Sequence, residues 1–97
     1  MSKEPQDDAR GVITNDVPLI YAMIDAFLFL ESAGPDQVDP DSAVRCMENM
    51  ASNLLTLSEA DQLALRAYLE RIADDHSDPA YTKFVRAMPD AIGLATP

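Results

Sequence analysis

Ninety-seven residues, 47% hydrophobic, with no Trp, three Gly and five Met, fit a single all-α domain and argue against a disordered chain or a glycine-rich β fold. Seventeen acidic residues against seven basic ones give a formal net charge of −10, a field that repels nucleic-acid phosphates and anionic lipid headgroups and favours a basic protein partner. The lone cysteine, Cys46, excludes an internal disulfide and suits a reducing compartment, and residues 1–15 carry no signal-peptide pattern, so a cytoplasmic location is expected.

Residues 1–14 are polar and charged and are read as a flexible N-terminal arm, with Val12 and Ile13 placed to dock at its base. Residues 15–97 form the single helical domain. The first helix is expected from Asp16 to about Ala33, capped by Asn15 or Asp16, with Pro18 in the first turn and Gly34-Pro35 ending it. Its core, Val17–Leu30, contains one charged residue, Asp25. At 3.6 residues per turn, Ile20, Met23, Ile24, Phe27 and Leu30 share one side, and Pro18, Tyr21, Asp25, Leu28, Phe29 and Ser32 the other. A membrane span wants about 20 uninterrupted apolar residues, which this run does not supply, so no membrane partner is expected. Two ways remain to bury the second side. Other helices of the chain wrap it, leaving Asp25 at a wetted edge, or Tyr21, Asp25, Leu28 and Phe29 form a partner or dimer interface.

Asp39-Pro40 reads as a cap followed by proline at the first helical position, opening a second helix to about Thr56 with Val44, Met47, Ala51, Leu54 and Leu55 as its stripe. Ser58-x-x-Asp61 is a capping-box variant that opens a third helix to about Ala73, with Leu65, Tyr68, Leu69 and Ile72 inward and Arg66, Glu70 and Arg71 in water. In this reading Glu70 pairs with Arg66 one turn back. Asp78-Pro79 restarts the chain as a shorter fourth helix to about Met88, closed by Pro89, with Tyr81, Phe84, Val85 and Met88 as its stripe; Ile92 and Leu94 then pin the tail. The expected fold is a small bundle of three long helices and this shorter one. Its core is Ile20, Met23, Ile24, Phe27, Leu30, Val44, Met47, Ala51, Leu54, Leu65, Tyr68, Leu69, Ile72, Phe84 and Val85.

Chemistry is sparse. Gly11, Gly34 and Gly93 are isolated, so no phosphate-cradling loop is present, and Cys46 sits mid-helix while His76, the one histidine, belongs to a turn. Calcium-loop registers begun at Asp36 or Asp39 put apolar residues at ligand positions. Asp74, Asp75, His76 and Asp78 could gather around a divalent cation, although acids at a helix C-terminus normally point to water. The third helix carries too much acid to read DNA. No catalytic, cofactor-binding or metal residues are assigned and no enzyme is expected. The sequence points to a non-catalytic acidic protein-interaction module, in its sharpest form an inhibitor or immunity-type protein on a basic partner. The alternatives are a structural homodimer and, more remotely, a metal-binding helical protein.

Overall fold

The computed structural model describes residues 15–97; the arm 1–14, Val12 and Ile13 included, lies outside the described residues. Four helices follow in order: α1 Val17–Ser32, α2 Pro40–Leu54, α3 Glu59–Asp75 and α4 Pro79–Ile92, with no strand among the described residues. The all-α bundle is therefore as the sequence predicts, with α4 the shortest at 14 residues.

Each helix begins where a small polar side chain replaces the missing backbone partner. Asn15 Oδ1 accepts from Val17 N at 3.1 Å, while Asp16 makes no side-chain cap. Asp39 Oδ2 accepts from Ser42 N at 3.0 Å, Ser58 Oγ from Asp61 N at 3.1 Å, and Asp78 Oδ1 from Ala80 N at 3.0 Å. Three of the four helices carry Pro in the first turn, where its absent N–H leaves no bond unmade.

The end of α4 differs from the sequence expectation. Pro89 does not close the helix: it lies inside it, buried, and the helix runs on to Ile92. A helical proline forfeits one backbone hydrogen bond and crowds the preceding turn, at about 3 kcal/mol, and burial of Pro89, Ile92 and Leu94 offsets that. The stop is Gly93, left-handed at φ 91°, with Gly93 N and Leu94 N both donating to Pro89 O at 3.0 Å.

The core is centred on Ile24, Leu69 and Val85, with Ile20, Phe27, Leu65, Ile72, Ala73, Met88, Ile92 and Leu94 around them. On α1 the inward side follows the predicted phase. On α2 it does so in part: Met47, Ala51 and Leu54 pack half-buried against the core, whereas Val44 is 50% and Leu55 42% exposed and Ala43 is the buried residue. At its N-terminal end the inward face is turned by one residue, so that Ala43 is covered in place of Val44. Tyr68 is also at the surface, with the Arg71 guanidinium 5.5 Å from its ring centroid. Met23, Leu30 and Phe84 are half-buried instead of enclosed.

Arg66 is the other departure. Instead of pairing with Glu70 in water, it donates from Nε to Ala95 O and from Nη2 to Leu94 O, both at 2.9 Å, and meets Asp90 Oδ1 at 3.0 Å. Two carbonyls of the tail and the Asp90 carboxylate of α4 together outcompete one exposed carboxylate a turn away. Gln62 completes the clasp: its Oε1 accepts from Ala95 N at 3.0 Å, and its Nε2 donates to Leu55 O and Leu57 O. The tail is thus tied to α3 and to the α2–α3 turn, as the burial of Ile92 and Leu94 requires.

Candidate functional site

The second side of α1 stays open. Tyr21 is 41% and Phe29 54% exposed, Asp25 is exposed and Leu28 is half-buried, a stripe at one-turn and two-turn spacing along the helix. Among the described residues the other helices cover it only in part. Toward its N-terminal end it adjoins the start of α4, where His76 and Tyr81 stack with ring centroids 4.2 Å apart. Burial pushes the Tyr81 phenol above its ordinary value of 10.0, and the Asp25 carboxylate and then Tyr21 push it the same way. Tyr21, Asp25 and Tyr81 therefore share one electrostatic neighbourhood, with Phe29 two turns further along.

The acidic run that straddles the end of α3 disperses. Asp74 pairs with Arg86 at 3.0 Å, His76 Nδ1 accepts from Asp78 N at 3.1 Å, and Asp78 caps α4. Among the described residues no group of three or more His, Cys, Asp or Glu side chains is placed to hold a metal ion. Cys46 is exposed on α2 beside Met50, its Sγ 3.9 Å from the thioether sulfur.

Two open grooves flank the bundle. One, of about 370 Å³, lies between α1, α2 and α4, with Phe27, Met47, Ala51, Phe84 and Met88 in its walls and the carboxylates Glu31 and Glu48 on its rim. The other, of about 430 Å³, runs between the start of α1 and the α2–α3 turn, with Leu19, Met23, Leu57 and Tyr68 in its walls and Asp16 and Asp61 beside them. Among the described residues no Lys or Arg lines either groove. Both volumes fall within the roughly 300–1,000 Å³ that encloses small ligands or clusters of inserted side chains.

Sequence reasoning did not identify these grooves. It assigned Met47, Ala51 and Phe84 to the core, because periodicity marks which face of a helix is apolar and is silent on whether a neighbour covers it. The available signal was the one applied to α1: more apolar surface than so few helices enclose.

Compared with protein-family models, with curated proteins and with solved structures, the chain matches none. No described helix is long and apolar enough to cross a membrane.

Proposed function

We propose that this chain is a non-catalytic, acidic protein-interaction module that captures a protein with a basic face, in its most specific form an inhibitor or immunity-type protein covering a basic active site. One observation carries the reading: large apolar side chains remain at the surface, among them Leu19, Tyr21, Phe29 and Val44, on a chain whose net charge is −10. Enclosing a Leu or Phe is worth roughly 1.5–3 kcal/mol, so a partner that covers them recovers free energy that the isolated chain forgoes. The negative field accelerates encounter with a basic surface, and the apolar groups then hold it.

Affinity capture from the native cell at low and at physiological salt, followed by mass spectrometry, tests the reading. A specific basic protein retained at low salt, with an association rate that falls steeply as salt rises, is the expected result. Retention of nothing above an unrelated acidic control at low salt would refute it.

A structural homodimer through the Tyr21, Leu28 and Phe29 side of α1 is the second reading. It is favoured by the exposure of Tyr21 and Phe29 on one side of one helix.

A further inference from the structure

We infer that the groove between α1, α2 and α4 is a receptor for a short amphipathic helix with a basic outer face; this rests on the reading of the chain as an interaction module and names the surface and the chemistry of what it takes. Three features of the groove lead there.

The first is its length. Along α2 it runs from Val44 to Ala51 and along α4 from Phe84 to Ile92. Val44 to Ala51 spans about 10.5 Å and Phe84 to Ile92 about 12 Å at 1.5 Å per residue, a little over two helical turns in the longer wall. A partner helix laid in such a trough presents apolar side chains at i, i+3 or i+4, and i+7.

The second is the material of the walls. Met47 and Met88 are unbranched and polarizable and conform to side chains of different shape, while Ala51, Ala87 and Ala91 leave room for another helix to approach closely. Phe27 and Phe84 supply aromatic faces. Val44, at 50% exposure, is the wall residue most plainly short of a neighbour, although the α2 stripe to which it belongs has the spacing of a core face.

The third is charge. Glu31 and Glu48 rim the groove and no Lys or Arg lines it among the described residues. A second copy of this chain brings a further net charge of −10 to that rim and is disfavoured as the occupant. Lys and Arg flanking an apolar stripe satisfy both carboxylates and lay their aliphatic stems along the walls.

The test uses the full chain and a synthetic helical peptide carrying Leu at i, i+4 and i+7 and Lys on its other faces, beside a peptide of the same composition in scrambled order and one with Glu in place of Lys. Binding is followed by calorimetry and by methyl NMR of Met23, Met47 and Met88. The patterned Lys peptide is expected to bind about tenfold or more tightly than either control and to shift Met47 and Met88 while leaving Met23 in place. Val44→Lys, a change at an exposed position, is expected to weaken it by about tenfold, and Glu48→Gln by a smaller factor that shrinks as salt rises. Equal binding of the scrambled peptide, no binding of the patterned one, or indifference to Val44→Lys overturns the groove assignment. Shifts confined to Met23 also overturn it but leave the interaction-module reading standing, which the capture experiment decides independently.

Discussion

Arg66 on α3 reaches Asp90 on α4 at 3.0 Å, yet the two side chains are unequal partners: the Arg66 side chain is 12% exposed and that of Asp90 84%. The guanidinium is held by the carbonyls of Leu94 and Ala95, with the carboxylate as a wetted third contact. Arg66→Ala strands those carbonyls beside the buried Leu94 and is expected to cost about 1.5–3 kcal/mol in urea denaturation. Asp90→Asn, which removes only a solvated charge, is expected to cost less than about 1 kcal/mol. Equal losses from the two variants would place the weight of the contact on the ion pair.

Leu69 is fully enclosed and its neighbour Tyr68 is 37% exposed, a difference made by one step of 100° around α3. Leu69→Ala is expected to destabilise by about 2–5 kcal/mol, through lost transfer free energy and a residual cavity. Tyr68→Ala should cost clearly less. Chemical denaturation of the two variants side by side measures this directly, and the reverse order would mean α3 is rotated about its axis.

Phe29→Asp places a charge at a position that is 54% exposed, so the fold is expected to retain its stability to within about 0.5 kcal/mol. If α1 mediates self-association, light scattering will show the wild type as a dimer and this variant as a monomer. A wild type that is already monomeric removes the homodimer reading and leaves partner capture.

Tyr81 gives a pH dependence of definite sign. Its phenol is raised above 10.0 by burial, then by Asp25 and Tyr21, so the folded chain keeps this proton to higher pH than the unfolded chain does. Below the unfolded value both states are protonated and the shift costs nothing. As pH rises through that value the unfolded state alone ionises, and stability declines until the folded phenol also gives up its proton. Thermal unfolding between pH 9 and 12, a range of about one to two units on either side of an ordinary tyrosine, is expected to show a steeper alkaline loss for the wild type than for Tyr81→Phe. Parallel curves would mean that the phenol feels neither Asp25 nor its burial.

Much of the architecture was legible because the chain punctuates itself. Asp39-Pro40, Ser58-x-x-Asp61 and Asp78-Pro79 each open a helix where predicted, since a capping side chain and a proline are local devices that act without tertiary help. Pro89 misled for the complementary reason: its local penalty is real, and burial that only the folded neighbourhood provides outweighs it. Arg66 was misplaced because its acceptors lie 28 and 29 residues away. The openness of the α1 side was legible in outline, from apolar residues in excess of the helices available to cover them. The groove beside α2 was not, because Val44 and Ala43 are adjacent and the choice of which faces inward depends on how closely α2 can approach its neighbours.

Since Ala43 is the one buried side chain of α2, that helix buries fewer side chains than any of the other three. Its backbone amides are therefore the ones whose protons should trade with deuterium soonest, by an excursion in which α2 lifts away while α3, α4 and the tied tail stay closed. A ligand that seals Met47 and Val44 would slow that exchange selectively, so the least anchored segment of the molecule doubles as its own reporter of occupancy.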